Sequence, residues 1–255
     1  MDLGLKGKRV LITGASMGIG LACARTFASE GCSLVLAARN EARLKDAAAA
    51  FAGSGVDVAI FAGDLSQAGE RERLAAAHGE ADILVNNAGA IPGGGLLDLD
   101  MATWEQAWAL KVMGYIHLSQ LYLRGMKARG SGVIVNIIGS AGRSPRYDYV
   151  CGATGNAALM AFTGAVGGAS PAWGVRVFAI NPAMTRTDRS VTLSKARARE
   201  RYGDENRWQD LLSNLPFGRL IEPEEIANAA AFLSSPACGY VSGATLDVDG
   251  GGAFR

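Results

Sequence analysis

The chain has 255 residues, 49% of them apolar, with 25 basic and 24 acidic residues and a formal charge of +1. A chain of this length buries roughly three quarters of its unfolded surface, so stability requires neither disulfides nor metals. The near-even charge speaks against nucleic-acid binding and against adsorption to a membrane surface.

Residues 1–9 reach a charged strand start without an apolar signal core, so the expectation is a protein that is not secreted. Lys8–Thr13 reads as a first strand, followed by a helix through Ala28. Ser33–Arg39 is a second strand, and Glu41–Phe51 its helix. Val56–Phe61, Asp82–Val85, Gly132–Ile137, Val175–Ile180 and Thr245–Val248 supply further strands. Strands alternating with long helices predict parallel pairing and right-handed crossovers. The expectation is a single α/β domain over 1–255, a Rossmann-like doubly wound sheet of about seven strands with helices on both faces. Trp104–Met126 reads as one largely apolar helix. Tyr149–Val175 runs 27 residues without a charge, but Asn156, Thr154, Thr163, Ser170, Pro171 and six glycines suit a buried helix, not a membrane span. Ala183–Leu212 is the one long irregular stretch, read as a lid or substrate loop.

Strand one runs straight into Thr13-Gly-Ala-Ser-Met-Gly-Ile-Gly20 and then a helix. Gly14 suits a sharp turn, Gly18 the approach of a phosphate, and Gly20 close helix packing. Ser16, Met17 and Ile19 complete the turn, and the helix start offers N–H groups to a pyrophosphate. No acid ends strand two. Its Arg39 suits a 2′-phosphate, which favours NADP over NAD, although a solvated arginine would look the same.

On these motifs the chain resembles the short-chain dehydrogenases/reductases over nearly its full length. Gly14, Gly18 and Gly20 match that family's glycine turn, and Asp64 and Leu65 match its adenine contact. Asn86-Asn87-Ala88-Gly89 matches the motif closing strand four over the cofactor. Asn181-Pro182 and Thr187 match the segment beside the nicotinamide amide, and Val248-Asp-Gly-Gly251 matches the C-terminal signature. The resemblance implies an oxidoreductase moving a hydride between NAD(P) and a small carbonyl or alcohol. It also implies a homodimer or homotetramer paired through helices with small residues such as Gly155, Ala158, Gly164 and Ala165.

The family's Asn-Ser-Tyr-Lys set is absent. Its four positions fall on Lys111, Gly139, Gly152 and Asn156. Lysine and asparagine have exchanged places, Ser140 is one residue past the serine position, and Tyr149 lies three before the tyrosine position. Candidate catalytic residues are therefore Tyr149 as acid/base, Lys111 as its cation, Ser140 as second donor and Asn156 on the ribose. The alternatives are a non-catalytic NADP(H)-binding sensor or scaffold, and a lyase or hydrolase on the same fold.

Arg143, Arg146, Arg186 and Arg189 cluster near the site, so an anionic substrate is one expectation and a solvated lid face the other. His78 and His117 are the only histidines, with no recognisable serine or cysteine partner, so neither a triad nor a metal is expected. Trp104 and Trp108 share a helix face as core or subunit contacts. Four cysteines without ligand spacing fit a reduced, cytoplasmic setting.

Overall fold

The computed structural model describes residues 1–254, the Arg189 side chain excepted; Arg255 and that side chain lie outside the described residues. Seven strands form one parallel sheet. They are β1 (Arg9–Thr13), β2 (Ser33–Ala38), β3 (Val58–Ala62), β4 (Ile83–Asn86), β5 (Gly132–Ile137), β6 (Val175–Pro182) and β7 (Thr245–Val248), in the order β3-β2-β1-β4-β5-β6-β7. Side chains alternate across the sheet. Val10 and Ile12 pack with Phe27, Leu44 and Ile226, whereas Leu11 packs on the other face with Leu74, Leu118 and Tyr122. Because helices cover both faces, nearly every strand position is apolar.

One face carries α1 (Gly18–Ser29), α2 (Glu41–Ala49) and α8 (Pro223–Ser234). The other carries α3 (Ala68–His78), α5 (Val112–Arg129) and α6 (Val150–Ala169). The chain leaves β3 at the sheet edge and returns past β1 to build β4, so the strand order reverses between β1 and β4. A crevice at the carboxyl ends is the consequence of that reversal, and it is where doubly wound sheets bind ligands.

Two expected elements come out differently. The helix expected over Trp104–Met126 is broken at Lys111, between α4 (Met101–Leu110) and α5. The stretch 183–212 is mostly helical, not irregular: α7 (Asp188–Tyr202) is followed by a 3-10 segment, Glu205–Leu212. Thr187 and Ser190 cap α7 reciprocally, and its Ala, Arg, Lys and Glu are strong helix formers. The absence of a long apolar stripe hid the helix, since only short residues such as Ser194 and Ala198 face inward.

By length and composition, the 24 residues Val150–Trp173 could cross a membrane, an 18-residue window within them having a mean hydropathy of 1.2. Here α6 instead lies on the sheet, its Cys151, Leu159, Thr163 and Gly167 face buried. A chain of buried amides ties it down: Asn86 Nδ2 donates to Ser119 Oγ and Asn136 Oδ1, and Asn136 Nδ2 donates to Thr163 Oγ1.

Helix α6 meets the backbone of the sheet side closely at Gly167, where a Cβ would collide with the Val177 carbonyl and the Gly243 backbone. Gly167→Ala is expected to cost about 1–3 kcal/mol, since backbone cannot yield as a side chain can. Thermal denaturation should show a midpoint lowered by about 2–4 °C per kcal/mol.

Candidate active site

The glycine turn sits at the order reversal. Gly14 and Gly18 adopt left-handed φ of +66° and +55°. A Cβ at Gly20 would overlap the Gly14 carbonyl and stand 2.7 Å from Asn87 Nδ2, so Gly20 is needed for the turn to fold onto its own helix. Thr13 Oγ1 accepts from the Asn87 and Ala88 amides at 2.9 and 3.0 Å, and Asn87 Nδ2 donates to the Thr13 carbonyl at 2.9 Å. Helix α1 begins with no side-chain cap from Met17, which leaves N–H groups of its first turn to an anion. Thr187 closes over the turn, its Cγ2 only 3.3 Å from where a Gly18 Cβ would be.

At the end of β2, Arg39 is exposed and Asn40 caps α2 by accepting from the Arg43 N–H. The Arg43 guanidinium lies 3.4 Å from Met17 Sδ, so a second cation leans over the glycine turn. The nearest acid in sequence, Glu41, pairs with Lys45 at 2.8 Å. An uncapped helix start, a glycine cradle and two guanidiniums fit the pyrophosphate and 2′-phosphate of NADP. Arg43 escaped the sequence reading, which stopped at the strand end; a basic residue in the first turn of the next helix was the available signal. After β3, Asp64 Oδ1 accepts from Ser66 N–H, shaping the loop. The Leu65 side chain is 3% exposed and belongs to the core, so only its backbone is available to a ligand.

The cleft beyond the turn has a volume of about 790 Å³, and Ile19, Asn87, Gly89, Lys111, Ser140, Tyr149, Pro182 and Thr187 all line it. Lys111, 9% exposed, crosses Gly89, and its Nζ donates to the Ile138 carbonyl at the end of β5. Tyr149 is the residue that precedes α6, with φ −144° and ψ 33°, and its carbonyl accepts from the Ala153 N–H at 2.9 Å. Its ring swings over Gly152, where a Cβ would fall inside the phenol. The absence of a side chain at Gly152 is what makes room for this ring. The Tyr149 backbone is pinned by a parallel bridge to Gly94.

Ser140 follows Gly139, whose φ is +140°. The Gly139 N–H donates to Asn181 Oδ1, Asn181 Nδ2 donates to Asp247 Oδ1 at 2.9 Å, and Asp247 pairs with Arg143 at 2.7 Å. This bracket of Asn181, Asp247 and Arg143 joins residues far apart in sequence, and no local pattern announces it. Asn156 does not reach the cleft wall. It is 2% exposed, and its Oδ1 is buried with no hydrogen-bond partner among the described residues.

Three arginines near the mouth are held in ion pairs, while Arg197 also lines the cleft and the Arg189 side chain lies outside the described residues. Arg143 pairs with Asp247, Arg186 with Glu222, and Arg146 with Asp148. Arg146, and more weakly Arg197, hold the Asp148 carboxyl below its ordinary range. No thiol is poised as a nucleophile near the turn: burial pushes Cys23 and Cys32 up to about 12. Among the described residues, no three His, Cys, Asp or Glu side chains gather as metal ligands.

A family model described as enoyl-(acyl carrier protein) reductase matches residues 14–252. Galactitol 2-dehydrogenase (L-tagatose-forming) of Cereibacter sphaeroides is 39% identical over 254 residues, covering 97% of this chain and 95% of the relative. The 7alpha-hydroxysteroid dehydrogenase of Escherichia coli K12 is 34% identical, covering 98% and 96%. The structure of L-sorbose reductase from Gluconobacter frateurii, complexed with NADPH and L-sorbose, matches with a TM-score of 0.91 at 34% identity, covering 98% of both chains. The chain belongs to the short-chain dehydrogenases/reductases, the NAD(P)-dependent oxidoreductases of alcohols and carbonyls.

Charge-assisted contacts contribute about 1.5–3 kcal/mol each. Replacing Arg39 and Arg43 together by alanine is therefore expected to weaken NADPH binding by about tenfold or more and leave NADH binding nearly unchanged. Fluorescence titration with both cofactors measures this, and equal losses for the two would contradict it.

Proposed function

We propose that the chain transfers a hydride between NADP(H), with NAD(H) as a second cofactor, and a small polyhydroxylated carbonyl or alcohol. The observation that carries this reading is the convergence of a displaced tyrosine and a displaced lysine on one cleft: the Tyr149 ring fills the space above Gly152, and Lys111 points to the Ile138 carbonyl. The turn Gly14, Ser16, Met17, Gly18, Ile19 and Gly20 would hold the pyrophosphate, Arg39 and Arg43 the 2′-phosphate, and the Asp64–Leu65 loop the adenosine. Asn87, Ala88 and Gly89, with Pro182 and Thr187, would frame the nicotinamide side. When bound, the cofactor supplies or takes up the hydride.

In the reducing direction, the Tyr149 hydroxyl gives its proton to the substrate oxygen, and the Ser140 hydroxyl donates a hydrogen bond to the same oxygen. The Lys111 ammonium offsets the phenolate left behind. Asn156 has a buried, unmatched Oδ1 suited to accept from a ribose hydroxyl once the cleft adjusts around a ligand.

The paired arginines at the mouth favour an uncharged substrate over an anionic one, with Ser144, Ser194 and Asn214 available on the wall for hydroxyl groups. The polyol and ketose named for the galactitol and sorbose relatives support that choice. The many dehydrogenases and reductases among the relatives favour redox turnover over a sensor, scaffold, lyase or hydrolase. A cytoplasmic location suits the four free cysteines.

Assembly follows from surface chemistry. The outer face of α6 exposes Ala157, Ala158, Ala161, Gly164 and Ala165, and Met113 of α5 is 52% exposed. A second copy would bury these small residues by close helix approach, giving a closed dimer or tetramer. Light scattering at micromolar concentration should report one of these, and a monomer would contradict the proposal.

Tyr149→Phe and Lys111→Met should each lower ketose reduction about 10²–10⁴-fold with little change in NADPH affinity. Their effects should be less than additive in the double variant, because one group tunes the other. Steady-state kinetics with L-sorbose and L-tagatose checks this; full turnover in Tyr149→Phe would overturn the assignment.

A further inference from the structure

We infer that Arg71 is a positioning residue that couples the adenosine side of the cofactor cleft to the helix break carrying Lys111. Arg71 stands on α3 and is 6% exposed. Among the described residues, no carboxylate lies within ion-pair distance of it; Glu72 instead faces His117 Nε2 at 3.9 Å. A buried guanidinium without a carboxylate must be satisfied by neutral acceptors, and those acceptors determine what it holds together.

Its Nη1 donates to the carbonyls of Leu65 at 2.7 Å, Ser66 at 2.9 Å and Ala109 at 3.3 Å, while Nε donates to His117 Nδ1 at 3.0 Å. The first two acceptors belong to the loop after β3. The third belongs to the last turn of α4, two residues before Lys111. His117 lies on α5, beyond the break. One planar group therefore clamps the loop, the end of α4 and the start of α5. Gly114 marks the same junction from the other side: a Cβ there would stand 3.6 Å from the Ala109 carbonyl oxygen and 3.7 Å from that of Leu65.

The functional consequence depends on where the ligand lies. In a doubly wound sheet the dinucleotide straddles the order reversal, and its adenosine half lies over the β1-β2-β3 side, where this loop is. Ordering of residues 64–66 by the nucleoside then orders the guanidinium, and through Ala109 and His117 it fixes the turn that aims Lys111. The inference rests on the proposed function in taking this loop as the adenosine side and Lys111 as the cation of the site.

The test uses the full-length protein and adenosine 2′,5′-bisphosphate, which is the adenosine half of NADPH without its nicotinamide. Calorimetry measures its binding, and amide hydrogen exchange follows residues 109–114. In the wild type the fragment should bind and slow exchange there about fivefold or more. Arg71→Met should bind the fragment and lose that slowing. Arg71→Lys keeps the charge without the fork, is the variant most secure in folding, and should lose most of it. Binding to the wild type without slowing at 109–114 would overturn the coupling while leaving the dinucleotide reading intact. No binding to the wild type would overturn the dinucleotide reading and this inference with it. Wild-type slowing in either variant, with only a lowered melting temperature, would mean that Arg71 is merely structural and would overturn the proposal.

Discussion

The hydroxyl of Thr13 holds together the two loops on which everything else depends. It sits at the end of β1, is 1% exposed, and accepts from two successive backbone amides beyond β4. These strands are neighbours in the sheet but separated by three crossovers in sequence, and it is between them that the strand order reverses. With Asn87 returning a hydrogen bond to the Thr13 carbonyl, the two loops become one rigid edge. The glycine turn can then fold back on the start of α1 because Gly20 lacks a side chain. A looser edge would leave the helix start without a fixed direction, and its N–H groups would no longer converge on one anion.

The opposite wall of the cleft is built on different terms. Its long polar side chains, Lys111 and Tyr149, reach the cleft across glycines that leave them space. Lys111 lies at the junction between α4 and α5, and its long stem crosses Gly89 to reach the Ile138 carbonyl just past β5. Tyr149 precedes its helix and reaches inward because Gly152 leaves the volume for its ring. Each displaced group is thus matched by a glycine that makes room for it. The same economy explains Gly139, where a side chain would meet Asn156 Nδ2 at 2.9 Å. Small residues are as much a part of this site as the polar ones.

Much of the surrounding polarity serves support. Asn181, Asp247 and Arg143 brace the turn that carries Ser140. Asn86, Asn136, Ser119 and Thr163 join two strands to two helices. Buried polar networks of this kind specify one arrangement strongly when their donors are matched, because a slipped alternative would strand several groups at once. Near the mouth of the cleft, by contrast, the exposed Arg143, Arg146 and Arg186 are held in ion pairs, which contribute little stability but offset those three charges.

The sequence by itself determined the sheet, its parallel sense and the cofactor half of the cleft. Strand periodicity, crossover length and a glycine turn are local properties, and β5 and β7 fall on the residues their patterns marked. Tertiary structure alone decided how the side chains of the opposite wall are placed. The break at Lys111, the swing of Tyr149 over Gly152, the clamp made by Arg71 and the core burial of Leu65 all depend on contacts between distant elements. Helix α7 was hidden for a related reason: it has no broad apolar face, and its buried positions carry short residues such as Ser194 and Ala198. Local patterns record which face of an element is buried, whereas the direction in which a long polar side chain is aimed depends on the neighbours that leave it space.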